Sequence, residues 1–201
     1  MSTIILLNGC SSAGKSSITK AIQHLSDTPW LHFSLDAFIN MMPHRYIGFG
    51  DNADNSYFSV IPGSNDLGPT SHIKIGSLGK DVFDCMPLLA KLLADHGNNL
   101  IIDEVLLSDD AVKMYAESLK NHRVYFVGVF AQLNAMQERE ILRGDRSIGL
   151  ANDQYNRVHT GTKPYDLKVD TTQTSAFGCA KEILAFIDQC KKPNSLTTDK
   201  F

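Results

Sequence analysis

Five short apolar runs alternate along the chain with stretches in which apolar residues recur every three or four positions. The runs fall at residues 3–8, 30–35, 100–103, 123–130 and 166–170, and each ends at a polar or chemically useful side chain. Runs of that length, bounded by turn-forming residues, predict strands buried on both faces. Between them, Ile18, Ala21, Ile22 and Leu25 make one stripe at the helical period, and Val82, Phe83, Met86, Leu89, Ala90 and Leu93 make a second that stops at Gly97. Pro87 inside the second stripe either kinks that helix or marks its true start. Val112, Tyr115, Ala116 and Leu119 repeat the pattern behind Ser108 and Asp109, and Ala176, Cys179, Ala180, Ile183, Leu184 and Ile187 close it. Strands alternating with amphipathic helices predict an α/β fold, a five-stranded parallel sheet with helices on both faces.

Two regions depart from this rhythm. Residues 43–75 are dense in Gly, Pro, Asn, Asp and Ser with weak periodicity, and a loop of that length inside a compact domain is usually functional or disordered. Residues 191–201 are polar and interrupted by Pro193, the composition of a fraying, flexible tail. The expected organisation is therefore a single domain over residues 1–190, with an inserted region near 43–80, followed by that tail.

Composition narrows the class. Nineteen Lys and Arg against 22 Asp and Glu give a formal net charge of −3, which favours neither nucleic acid nor an anionic membrane as a partner. No apolar run approaches the roughly 20 residues that span a bilayer. The N-terminus lacks the basic region and long apolar core of a secretory signal. Cys10, Cys85, Cys179 and Cys190 show no metal or redox spacing and are expected to be reduced thiols, which suits the cytosol. A homo-oligomer is compatible with all of this.

Gly9-Cys10-Ser11-Ser12-Ala13-Gly14-Lys15-Ser16 fits G-x-x-x-x-G-K-[ST], the P-loop. It follows an apolar strand and opens an amphipathic helix, the context the motif requires. Its glycines let consecutive backbone N–H groups turn inward toward phosphate oxygens, where the following helix also presents its positive end. Lys15 is expected to reach the β and γ phosphates, the Ser16 hydroxyl to ligate Mg²⁺, and Ser17 to continue the nucleotide contact. The bland alternative is a Gly-rich turn with an exposed lysine. Asp103, at the carboxyl end of a central strand, reads as the acid that holds the metal, or as a cap for the next segment together with Glu104. Asp36 is placed either to take a proton from a hydroxyl attacking the γ-phosphate or to cap a short helix that starts at Ala37. Arg139, Arg143 and Arg146, broken by Gly144, suit a lid over residues 139–151 that closes on a phosphoryl group; a solvated helix face is the alternative.

Residues 7–16 of the P-loop strand, Pro29-Trp30-Leu31 with Phe33 and Asp36, and Met42-Pro43 resemble the chloramphenicol phosphotransferase family. Val127-Gly128-Val129, Gly144-Asp145-Arg146, the cluster Gln154, Tyr155, Val158 and His159, and Val169-Asp170-Thr171-Thr172 resemble it in the same order. The resemblance implies a P-loop NTPase fold of the nucleoside monophosphate kinase type and ATP- and Mg²⁺-dependent phosphorylation of a hydroxyl on a small molecule, the 3-hydroxyl of chloramphenicol in founding members. It implies Asp36 as the base and Arg146 at the phosphoryl-transfer site. It also implies Arg139 and Arg143 near the nucleotide, and Thr171 and Thr172 beside the adenine. Phe33, Asp36, Phe38 and Met42 are the candidate acceptor contacts. Residues 46–80 share little with the family beyond Gly68-Pro69, which keeps open a kinase for another metabolite, nucleoside or sugar. A nucleotide-dependent regulatory ATPase is the reading from a different class.

Overall fold

The computed structural model describes residues 1–49, 56–144, 147–161, 163–190, 193 and 196. In chain order the first half holds β1 (Thr3–Asn8), α1 (Lys15–Leu25), β2 (Trp30–Ser34), α2 (Leu35–Met41), β3 (Ile47–Phe49), β4 (Phe58–Asn65) and β5 (Gly68–Ile75). Next come α3 (Ser77–Asp84), α4 (Met86–Asp95), β6 (Asn99–Glu104), α5 (Asp109–Leu119) and β7 (Arg123–Phe130). The chain continues with α6 (Leu133–Arg143), α7 (Leu150–Gln154), β8 (Leu167–Asp170) and α8 (Ala176–Gln189). Most of the proposed tail, residues 191–201, lies outside the described residues, as do Asp145 and Arg146. Among the described residues no helix is long and apolar enough to cross a membrane.

The five strands expected from the sequence form one parallel sheet in the order β2-β6-β1-β7-β8. Its central strand is buried throughout, and the side-chain alternation of a strand divides the core in two. Ile5 and Leu7, with Ile101, Val127 and Val129, face α1 and α8 through Ile18, Ile22 and Ile183. Ile4 and Leu6, with Leu100, Ile102 and Phe126, face α4 and α5 through Met86, Ala90, Val112 and Leu119. Burying each such side chain stabilises the fold by about 1.5–3 kcal/mol, and truncating one opens a cavity in the layer it faces. Parallel strands place all their carboxyl ends on one edge, where Asn8, Ser34, Glu104, Phe130 and Asp170 stand together.

Local signals set the helix boundaries. The second stripe is two helices, and Pro87 sits in the first turn of α4, where its missing N–H costs nothing. Gly97, at φ +88°, ends that helix, with its N–H on the Ala94 carbonyl. Ser108 caps α5 by accepting from the Ala111 N–H. The cap of α2 is Ser34, which accepts from the Ala37 N–H. Asp36 is the second residue of the helix, in its first turn, so the capping position that the sequence left open to it belongs to Ser34.

The described residues of 43–75, which are 43–49 and 56–75, are not an irregular loop. A 3₁₀ turn (His44–Tyr46) leads into a second, three-stranded sheet in the order β3-β4-β5, whose β4–β5 hairpin runs the full length of both strands. The turn residues that suggested a loop have places in it. Gly68 turns the hairpin at φ +115°, and the Asn65 side chain accepts from the Leu67 N–H. Pro62 lies where β4 has already run past β3, so its absent donor is not missed.

Candidate active site

The loop between β1 and α1 is built by backbone. A Cβ on Gly9 would stand 2.5 Å from the Val129 carbonyl oxygen, so only glycine lets the loop base lie against β7. Ser12, at φ 61°, and Gly14, at φ +94°, both take the left-handed conformation, which folds the loop back before the helix starts. The Ser11 and Ser12 hydroxyls are buried without a hydrogen-bond partner among the described residues. Buried donors left open in a concave backbone loop fit an anion cradle. Cys10 packs in the core beneath, where burial, only partly offset by Lys15, pushes its thiol up to about 11.

The charged groups of the loop converge. Lys15 Nζ donates to the Gly9 and Cys10 carbonyls at 2.9 Å each and stands 3.7 Å from Asp103 Oδ1. Ser16 Oγ donates to Asp103 Oδ2 at 2.6 Å. Burial alone would raise the Asp103 carboxyl, but Lys15, His32 and Ser16 together hold it below the usual carboxylate range. Its neighbour Glu104 behaves oppositely. Burial pushes it up to about 7, although Tyr115 OH donates to it at 2.8 Å. Adjacent acids on one strand thus shift in opposite directions: Lys15, His32 and Ser16 keep Asp103 charged, while fuller burial leaves Glu104 about half protonated near pH 7. Among the described residues no cluster of three or more His, Cys, Asp or Glu side chains could hold a metal ion. The chain's own contribution to a hard cation here is the Ser16–Asp103 oxygen pair.

Above this floor opens a cavity of about 500 Å³, lined on one side by Ser11, Ser12, Lys15, Ser16, Asp103 and Glu104. Its far side is apolar, from Phe58, Val60, Ile73 and Ile75 of the hairpin to Phe83, Met86 and Met114. The period-two alternation of β4 and β5 puts those four hairpin residues on one face. Asp36 lines the cavity from α2, and Arg143 lines it from the end of α6.

The proposed acceptor contacts divide. Asp36 reaches the cavity, but Phe33, Phe38 and Met42 do not line it. Phe33 and Phe38 pack ring to ring at 5.1 Å in the core beneath α4, and Met42 is buried behind Phe58 and Val60. Phe33 and Phe38, candidates through their place beside Asp36 in the family-like segment, serve core packing, and the apolar wall comes from residues 58–75 instead. Arg139 and Arg143 also part. Arg139 holds the Thr171 hydroxyl and carbonyl at 2.9 Å each, and the Thr171 hydroxyl donates to the Ala13 carbonyl at 2.8 Å, so this pair buttresses the loop from behind. Thr172 Oγ1 accepts from the Gln132 N–H at 2.7 Å, and Ser17 lines the cavity. The expected place of Arg146 lies outside the described residues.

Two site residues carried no chemical signal in the sequence, His32, 3.5 Å from Asp103, and Tyr115, which donates to Glu104; Glu104 was read only beside Asp103, and Gln154, which accepts from the Ser11 N–H at 2.6 Å, only within the family-like cluster. The Ser11–Gln154 bond spans 143 positions in sequence, a distance no local pattern bridges.

Comparison with known proteins adds to this geometry. The family model for chloramphenicol phosphotransferase-like proteins matches residues 2–188. A Mycobacterium tuberculosis protein named "Putative O-phosphotransferase Rv2636" is 28% identical over 203 residues, covering 94% of this chain and 84% of that protein. Among solved structures, a sugar kinase from Janibacter sp. HTCC2649 superposes with a TM-score of 0.62 at 14% identity, over 94% of this chain and 95% of the other. The Mycobacterium tuberculosis APS kinase CysC, in complex with AMPPNP and APS, gives 0.61 at 13% identity, over 93% and 98%. At such identities these structures establish the fold, that of the P-loop kinases.

Proposed function

We propose that this chain, which belongs to the chloramphenicol phosphotransferase-like family, moves the γ-phosphate of ATP to a hydroxyl of a small molecule, chloramphenicol or a related compound. The observation that carries this reading is one cavity with two unlike ends. A P-loop with Lys15, Ser16 and Asp103 forms one end, an apolar wall forms the other, and Asp36 also lines the cavity.

The loop amides and Lys15 hold the phosphates, and Arg139 with Thr171 keeps the loop in shape behind them. Ser16 and Asp103 would hold Mg²⁺, which when bound neutralises charge on the phosphates and templates them. Asp36 takes the proton of the acceptor hydroxyl as the acceptor oxygen attacks the γ-phosphorus; the bond from that phosphorus to the oxygen bridging to the β-phosphate breaks, ADP leaves, and the proton stays on the Asp36 carboxyl until it is lost to solvent. Arg143, in the cavity, and Arg146 supply guanidinium charge where negative charge spreads over the transferring group. Replacing Arg146 by Ala is expected to lower kcat by about 10³-fold, by analogy with arginine fingers. The hairpin wall excludes water and holds the acceptor's apolar body.

A second reading keeps this chemistry and exchanges the acceptor for a polar metabolite, favoured by the carboxyls of Asp84 and Glu104 in the same cavity. A panel of hydroxyl compounds with ATP labelled at the γ-phosphate decides between them. Label on chloramphenicol supports the first reading, and label only on a sugar or nucleoside supports the second. ATP hydrolysis without transfer to any acceptor overturns both in favour of a regulatory ATPase.

A further inference from the structure

Gln154 is a cavity-lining residue that the proposed reaction does not yet use. It is only 7% exposed, and its Oε1 accepts from the Ser11 N–H at 2.6 Å. A backbone N–H can only donate, so the carboxamide is oriented with oxygen on the loop and nitrogen away from it. That Nε2 has no hydrogen-bond partner among the described residues, yet it is not sealed from solvent. Its residue shares the cavity with Lys15 and Ser16. An amide donor oriented by its partner oxygen, on a residue that lines the cavity, is placed to donate to a ligand there.

The mounting of Gln154 is firm. Glu140, 2% exposed, accepts from the Gly149 and Ala151 N–H groups at 2.7 and 3.1 Å and fixes the start of α7. Asn152 donates to the Pro69 carbonyl at 2.7 Å, accepts from Gln137 at 2.8 Å, and its own carbonyl accepts from Asn65 at 3.1 Å. Ser71 donates to the Ile148 carbonyl at 2.7 Å. The short helix is therefore clamped between α6 and the hairpin wall, with Gln154 at the join of wall and P-loop. The position along the loop also matters. Lys15, the group that reaches the β and γ phosphates, has its Nζ on the Cys10 carbonyl, one residue from Ser11. Gln154 thus stands at the terminal-phosphate end of the cradle.

We propose that Gln154 is a phosphate-contacting residue whose Nε2 donates a hydrogen bond to an oxygen of the γ-phosphoryl group while Oε1 stays on the Ser11 N–H. This rests on the ATP-dependent reading above. It assigns to α7 a direct part in telling a nucleoside triphosphate from a diphosphate, beyond supporting the loop.

The test is calorimetric binding of ADP and of the non-hydrolysable analogue AMPPNP, each with Mg²⁺, to the native protein and to Gln154→Glu. Glutamate keeps an oxygen for Ser11 and replaces the amide donor with negative charge. The analogue is expected to bind roughly tenfold more weakly or worse, as for a lost charge-assisted hydrogen bond, with ADP changed by less than about threefold. Equal weakening of both nucleotides, or of neither, would overturn the proposal and leave Gln154 as a prop for the loop. A native protein that binds neither nucleotide would instead overturn the ATP-dependent reading itself. If the variant does not fold, the side-chain amide resonance of Gln154 in the native protein answers the same question. A shift with AMPPNP and none with ADP supports the contact, and an equal shift or no shift with either contradicts it.

Discussion

The two ends of the cavity are made in different ways. The phosphate floor is backbone. Its shape comes from Gly9 lying against Val129, from left-handed turns at Ser12 and Gly14, and from N–H groups that any side chain would offer equally. The wall proposed for the acceptor is side chain. Phe58, Val60, Ile73 and Ile75 present their bodies from the β4–β5 hairpin of the three-stranded sheet, whose backbone bonds serve chiefly the sheet itself. A floor of this kind suits a ligand part that never changes, because adding a single Cβ destroys it. A wall of this kind can be recut residue by residue without disturbing the phosphates, which is how one fold serves several acceptors.

That division can be broken by experiment. The largest effect is expected where the two ends meet. Asp36→Asn should lower phosphoryl transfer by roughly 10²–10⁴-fold while nucleotide affinity stays that of the native protein. A matching loss of nucleotide affinity would place Asp36 in the floor. On the floor itself, Gly9→Ala forces a Cβ against a carbonyl and should cost about 1–3 kcal/mol, seen as a lower Tm together with weakened nucleotide binding. Unchanged nucleotide binding there would show that backbone shape is not what recognises phosphate. On the wall, Ile73→Ala should raise the acceptor KM by about tenfold and leave the nucleotide KM alone. Steady-state kinetics with each substrate varied in turn separates these outcomes.

The smallest effect lies behind the floor. His159 stacks on Phe130 at 3.8 Å and meets Tyr165 OH at 2.8 Å, and burial, aided by Lys163, Lys15 and Lys168, lowers it to about 4. A histidine kept neutral in the fold but free to protonate once unfolded makes stability rise with pH between about 4 and 6.5 and lets it fall as acid is added. Denaturant melts across that window should show the slope, and His159→Gln should flatten it without touching the acceptor KM. A slope unaltered by that change would assign the pH dependence to another group.

The floor was legible in the sequence because it is local. Eight consecutive residues carry the loop, the neighbouring strand β6 carries Asp103 near its end, and both lie where the sequence placed them. The three inner parallel strands β1, β6 and β7 were legible for a related reason: burial on both faces leaves a continuous apolar run, while the partly exposed edge strands β2 and β8 were legible from shorter, interrupted ones. The wall was not. The alternation of Phe58 with Val60 and of Ile73 with Ile75 is diluted by the glycines, prolines and asparagines that turn and edge the hairpin, so a paired ribbon read as loop. Phe33, Phe38 and Met42 sat beside Asp36 in sequence, but helix and strand geometry turn them into the core. Gln154 and Arg139 act on the P-loop from more than a hundred residues away, and no periodicity encodes such a meeting.

The measurement that bears most directly on the central claim is mass spectrometry of chloramphenicol after incubation with ATP, Mg²⁺ and either the native protein or Asp36→Asn, with ATP binding measured for both. The account predicts a product heavier by one phosphoryl group with the native protein alone, while both proteins bind ATP equally. Equal product from the Asp36→Asn protein would contradict the role of Asp36, and ATP binding with no product would contradict chloramphenicol as the acceptor.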